Sequence, residues 1–224
     1  MRLTVFNGSP KKGANNTDVL LTHFLAGFSE TAGNTSEVIH LNKCNDISDA
    51  ADIFKQSDMS LIAFPLYAYS LPAGVMEFVE ALETLRGACR KKPVGFLVQF
   101  GFREAIHARP LEKYLERLAA DLQCDYLGTI IKGGCDALTK SSEKHNRKTL
   151  HGIIRIGRVF GATGGLDKKL LHAYAKPENQ TFFSKIFMRV FVKLANKFYW
   201  AVQLKANNAL EKVYARPYAT PDNF

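Results

Sequence analysis

A chain of 224 residues and 25.0 kDa, 46% hydrophobic and 23% charged, is long enough for one well-buried core and too apolar to be a disordered polymer. Its net charge of +9 is unevenly placed: residues 1–132 hold 14 Lys and Arg against 15 Asp and Glu, and residues 133–224 hold 16 against 6. The basic character therefore belongs to the C-terminal part, which implies an anionic partner there (a phosphate-bearing cofactor, a lipid surface or nucleic acid) or a solvated basic face.

The four cysteines, Cys44, Cys89, Cys124 and Cys135, form no C-x-x-C pair, and the six histidines are scattered without metal-ligand spacing, so no metal site is expected. A chain of this size and apolar content needs no disulfides, and a reducing compartment, the cytoplasm, is expected. Arg2 is followed at once by the strand-like run Leu3 to Phe6, so no signal peptide is read. No run of 18 uncharged apolar residues is present to span a membrane.

In chain order, RLTVF reads as a first strand, stopped by the turn signal Asn7-Gly8-Ser9-Pro10. A helix is predicted from about Asp18 to Phe28, with Leu20, Leu21, Phe24, Leu25 and Phe28 on one face. SEVIHL reads as the second strand, residues 49–57 as a short polar helix, and MSLIAFP as a buried third strand. A helix follows from about Gly74 to Arg86, then strand PVGFLVQF, a helix over 109–122 and strand CDYLGTIIKG. The alternation predicts an α/β, flavodoxin-like fold: a five-stranded parallel sheet, right-handed crossovers and helices on both faces. Residues 1–132 are read as this core, and 133–224 as a basic helical C-terminal extension of the same domain. Within the extension, 133–149 reads as a polar connection, and 150–160 and 166–174 as helices divided by Gly161-Ala162-Thr163-Gly164-Gly165. Ligands in such sheets sit at the carboxyl ends of the strands, which directs attention to residues 7–17, 64–72 and 100–104.

The first of these loops, NGSPKKGANNTDVLL, joins a strand to a helix, whose free N–H groups and partial positive charge suit a phosphate. Thr17 is a candidate cap for that helix. The spacing is neither G-x-x-x-x-G-K-[ST] nor G-x-G-x-x-G, which argues against a nucleoside triphosphatase and a Rossmann fingerprint. In the second loop, FPLYAYSLPAG, Pro65 and Pro72 enclose a rigid turn whose two tyrosines would suit a flat apolar ring. In the third, VQFGFREA, Gly101 permits close approach.

NGSPKKGANNT resembles the phosphate loop of the NADPH-dependent FMN reductase and iron–sulfur flavoprotein families, which reads like GSPR, a short linker, then N-T. The second loop resembles their S-P-x-Y-x-x-x-x-P-A pattern. The resemblance implies that Ser9, Asn16 and Thr17 hold the FMN phosphate, with Lys11 in place of the usual Arg. It implies that Pro65, Leu66, Tyr67, Tyr69 and Ser70 line the flavin, and that Gly101, Phe102 and Arg103 flank its edge. Cys44 stands alone where the iron–sulfur members carry a cluster, so no such cluster is expected. The activity implied is an FMN-dependent oxidoreductase passing electrons from NADH or NADPH to a small acceptor: a quinone, free flavin, nitro or azo compound, or metal ion. The flavin carries the chemistry, and no catalytic side chain is required. The alternatives are a one-electron carrier, less fitting because carriers are usually acidic and shorter, and a flavin- or nucleic-acid-binding module without turnover, for which no nucleic-acid motif speaks.

Residues 181–205 carry seven aromatic residues between Phe182 and Trp200, and Lys185, Arg189, Lys193 and Lys197 recur at intervals of four. Such a segment needs burial of its apolar part. A homodimer interface, as is common in the resembled family, is expected, with intrachain packing or peripheral contact with an anionic membrane as alternatives.

Overall fold

The computed structural model describes residues 1–136, 138–179 and 191–216. The chain divides into two compact units, Met1–Asn179 and Gln180–Phe224. The first is built on five parallel strands, β1 (Arg2–Asn7), β2 (Thr35–His40), β3 (Met59–Pro65), β4 (Pro93–Gln99) and β5 (Asp125–Lys132). Their order is β2-β1-β3-β4-β5, so the winding direction reverses beside β1, between it and β3. That is the doubly wound, flavodoxin-like arrangement, in which the strand ends at the reversal splay open and leave a crevice.

Six helices cover the sheet: α1 (Asn16–Phe28), α2 (Ile47–Gln56), α3 (Ala73–Leu82), α4 (Arg109–Asp121), α5 (Glu143–Thr163) and α6 (Lys168–Ala175). Strand residues alternate between faces, and two apolar cores result. One joins α2, α3 and α4 to the sheet around Phe6, Phe54 and Phe78, with Phe6 and Phe78 stacked at 4.9 Å. The other joins α1, α5 and α6 around Leu20, Phe24, Phe28, Ile153 and Phe160. Lys92 closes the first core at its edge. Its buried ammonium donates to the carbonyls of Phe54, Lys55 and Ser57 at the C-terminal end of α2.

Two expectations are corrected here. Residues 143–149 are not a connection: they form the first two turns of α5. Gly161 is not a break either. The helix runs on to Thr163 and ends at Gly164, whose φ of 72° is left-handed. Glycine inside α5 serves a close crossing. A Cβ at Gly157 would lie 1.9 Å from the Phe24 carbonyl oxygen, and one at Gly27 of α1 would lie 2.1 Å from that of Ile154. The two helices thus meet backbone to backbone, and Asn34 fastens the crossing by donating to the carbonyls of both Phe28 and Gly161.

In the second unit, residues 191–195 are helical, Asn196–Trp200 is a π-helical turn and Ala201–Ala206 is helical again. Of the expected cationic stripe, Lys185 and Arg189 lie outside the described residues, and Lys193 is exposed. No helix among the described residues is long and apolar enough to cross a membrane.

Candidate functional site

The loop after β1 is held open by its own polar residues. Asn7 accepts from the Ser9 N–H at 2.9 Å, and the Gly8 N–H donates to the Ala63 carbonyl of β3 at 2.8 Å. Gly8 is required: a Cβ there would lie 2.1 Å from Val75 of α3. The cap of α1 is Asn15, not Thr17: its side-chain oxygen accepts from the Asp18 N–H at 2.9 Å. The Asp18 carboxylate is itself gripped by the side chains of Asn7 and Asn15. Among the described residues, the backbone N–H groups of Lys11 through Thr17 donate to no protein acceptor, which leaves a run of donors at the helix start.

The loop after β3 folds back on itself. Tyr67 and Ser70 exchange backbone hydrogen bonds of 3.2 and 2.8 Å, and the two residues between them, Ala68 and Tyr69, both have positive φ, 47° and 62°. Turns of this hand prefer Asn and Gly, so two side-chain-bearing residues here store strain of about 1 kcal/mol or more each. The turn holds Tyr67 and Tyr69 outward, 52% and 58% exposed, and the Leu66 N–H ties it to the Gln99 carbonyl at 2.9 Å.

The loop after β4 is backed by residues 133–135, which bond to Phe100 and Phe102 and pass so close that a Cβ at Gly133 would lie 2.3 Å from the Phe102 carbonyl. It then enters a short 3-10 turn, Ala105–Ala108, pinned by Pro177 and Glu178, whose carbonyls accept from the Ala105 and Ile106 N–H groups. Glu178 also accepts from Nε and Nη2 of Arg109, at 2.9 and 2.7 Å, and this hydrogen-bonded ion pair holds the Glu178 carboxyl below the usual range. The pinned turn presents His107. Its Nδ1 lies 3.2 Å from Tyr69 Oη, its Nε2 lies 3.9 Å from the Glu104 carboxylate, and its ring lies 4.7 Å from Phe102.

These loops enclose a cavity of about 450 Å³, within the range of small-molecule sites. Asn16, Pro65, Leu66, Tyr67, Tyr69, Gly101 and Phe102 all line it, together with Ala68, Gln99, Phe100, His107 and Asp136. A Cβ at Gly101 would lie 2.3 Å from the carboxylate of exposed Asp136, which would have to turn aside. The other expected residues lie elsewhere. Ser9 is buried in the turn, and Thr17 is fully buried, its hydroxyl accepting from Gln99 at 3.3 Å. Lys11 lines a second cavity beyond the loop, Ser70 faces a groove between α3 and α4, and Arg103 is exposed. The sequence reading missed His107, whose place depends on a contact with Glu178 at the far end of the unit.

At the carboxyl end of β5, burial lowers the Lys132 ammonium and pushes the neighbouring Cys135 thiol up to about 12. The Lys132 ammonium sits 4.8 Å over the Tyr174 ring. Among the described residues, no three His, Cys, Asp or Glu side chains gather as a metal site would require.

No protein-family model and no curated protein sequence matches the chain. Solved structures do. An NAD(P)H:quinone oxidoreductase from Methanothermobacter marburgensis superposes with a TM-score of 0.55 at 17% identity, over 70% of this chain and 98% of that one. General stress protein 14 from Treponema denticola, solved in complex with FMN, gives 0.52 at 13% identity, over 72% and 97%. RosB, solved with the bound intermediate 8-demethyl-8-formylriboflavin-5'-phosphate, gives 0.58 at 12% identity, over 86% and 87%. At such identities the likeness is one of fold. The chain has the flavodoxin-like fold.

Proposed function

We propose that this chain is an FMN-dependent oxidoreductase that takes electrons from NADH or NADPH and passes them to a small acceptor such as a quinone, a free flavin, a nitro or azo compound, or a metal ion. The observation that carries the reading is the cavity in which the first turn of α1, the Tyr67–Ser70 turn and the end of β4 meet. It combines Asn16, at the start of a helix whose first N–H groups are free, with exposed aromatic faces for a flat ring and a glycine at the edge. Three fold relatives are named for, or solved with, such chemistry.

Bound FMN supplies reversible hydride and electron transfer. The chain's part is to hold and orient. Asn16 and the N–H groups of the α1 loop take the phosphate, with Ser9, Thr17 and Lys11 shaping and charging that loop. Tyr67, Tyr69, Pro65 and Leu66 form the wall along the ring, and Gly101 and Phe102 the edge. His107 meets the Tyr69 hydroxyl at its Nδ1 and faces Glu104 at its Nε2, so the wall includes an imidazole held from both sides. A cytoplasmic location accords with four free thiols.

The test is reconstitution. The purified chain should bind about one FMN, and anaerobic NADPH or NADH should bleach it without a helper reductase. Failure to take up flavin sinks the reading, and flavin that binds but resists both nicotinamides makes the chain a carrier or a binding module. Asn16→Ala should weaken FMN retention, and undiminished retention would mean another loop holds the phosphate.

A further inference from the structure

Tyr69 stands between two cavities: it lines the candidate site and also the groove of about 460 Å³, between α3 and α4, that Ser70 faces. Both helices turn apolar side chains into this groove at helical spacing, Met76 and Val79 from α3, Leu111 and Tyr114 from α4. Leu71 and Leu111 belong to the buried core and make its floor, whereas Met76 and Tyr114 are exposed. Large apolar groups left to water along a groove mark a place of interaction. Glu80 is the one charged side chain in the lining. Farther along, past Tyr114, the furrow is bordered by the ion pairs Arg86–Glu83 and Arg117–Asp121. Its apolar stretch is therefore the one that adjoins Tyr69 and the candidate site.

That lining discriminates among acceptors. It gives a metal ion no ligand set, since no three His, Cys, Asp or Glu side chains gather among the described residues. Glu80 repels the phosphate of a free flavin. We propose, resting on the flavin reading above, that the acceptor is an uncharged ring with a hydrocarbon side chain, such as an alkyl-substituted quinone, and that this side chain lies in the groove. The reducible ring stays in the candidate site beside Tyr69. The hydrocarbon passes Tyr69 and lies on Leu71 and Leu111, between Met76, Val79 and Tyr114. A hydrocarbon is the occupant because the groove is apolar where it adjoins the candidate site and charged where it leaves it.

The test is a calorimetric titration of the full chain, as purified and after FMN reconstitution. The probes are a decyl-substituted benzoquinone and the same quinone without the decyl chain. Each methylene taken out of water is worth about four-fold in affinity, so a chain buried over a few carbons should bind at least about ten-fold tighter than the bare ring. Apolar chains gain affinity for many surfaces, so the double variant Met76→Glu/Tyr114→Glu, which changes only exposed side chains, reads the groove itself. It should lose on the order of ten-fold in affinity for the decyl quinone and keep its affinity for the bare quinone and for FMN. In the reconstituted enzyme its KM for the decyl quinone should rise, with the rate of bleaching by NADH or NADPH unchanged. Equal affinities for the two quinones, or a decyl affinity untouched by the double variant, would overturn the proposal. A double variant that turned a dimeric chain monomeric by light scattering would also overturn it, because the groove would then belong to a second copy. The chain as purified reads the groove whether or not FMN is taken up, so failure of the flavin reading is seen separately, in the reconstitution.

Discussion

The phenol oxygen of Tyr69 stands 3.2 Å from Nδ1 of His107 and joins the turn after β3 to the turn after β4 across the mouth of the candidate site. Each residue is fixed from its own side, Tyr69 by the Tyr67–Ser70 bridge and His107 by the Glu178 clamp on its turn. Tyr69→Phe and His107→Ala should each weaken FMN binding a few-fold, as expected for one hydrogen bond worth about 1 kcal/mol. The double variant should be little worse than the weaker single, since both remove the same bond. Affinities from flavin fluorescence check this, and fully additive losses would show that the two act independently.

Ala68 occupies a left-handed backbone position, φ 47°, where a Cβ costs about 1 kcal/mol. Ala68→Gly should therefore stabilise the folded chain by roughly that amount, against the usual loss from added glycine flexibility. Urea unfolding measures it. A lower midpoint would mean that the turn is not strained.

Gly157→Ala tests the helix crossing. By helix propensity alone the change should stabilise α5 by about 1 kcal/mol. The new Cβ would fall 1.9 Å from the Phe24 carbonyl, and the helices would have to part. Overpacking of this kind costs about 1–3 kcal/mol, so the unfolding midpoint should drop. A rise would show that α1 and α5 do not meet there.

That crossing also marks the limit of what the sequence made legible. The strands and three ligand loops could be read because unbroken apolar runs end in Gly, Pro and Asn. Asn16, the two tyrosines and Gly101 were placed by that logic, and the structure brings them to one cavity. α5 was read only over 150–160 because its first turns are polar, and because Gly161 read as a breaker when its role is contact. The cap of α1 was misplaced because Asn15, Asn16 and Thr17 are all able caps, and the choice depends on which one the Asp18 N–H reaches. His107 carried no local signal, since Glu178 positions its turn from 71 residues along the chain.

Alkaline pH should weaken the fold through its buried thiols. Burial holds the Cys135 thiol protonated up to about 12, above the ordinary thiol value of 9.0, with Lys132 partly opposing the shift. Between those values the folded state binds the proton and the unfolded state does not. Stability is therefore full below about pH 9 and falls by up to about 1.4 kcal/mol per pH unit as pH rises toward 12. Burial of Cys124, pushed up to about 11, adds to the same slope. Cys135→Ala should flatten the decline in a urea series from pH 8 to 11, about the range these values define. An unchanged slope would assign the decline to other groups.

The final prediction concerns residues 191–206. In the single chain Phe191, Leu194, Phe198, Trp200 and Val202 are all more than half exposed, an apolar concentration that monomers rarely leave to water. Exposed Lys193 and Lys205 add positive charge, and no acidic residue interrupts the run. Covering side chains of this size stabilises an assembly by about 1–3 kcal/mol each, enough for several together to drive pairing. The intact chain should therefore be dimeric by light scattering. A chain ending at residue 179 retains both sheet cores, so it should stay folded and become monomeric. A truncated chain that remains dimeric, or an intact chain that is monomeric, would remove the pairing role. Binding of the intact chain to anionic vesicles, lost at high salt, would assign these residues to a membrane surface instead.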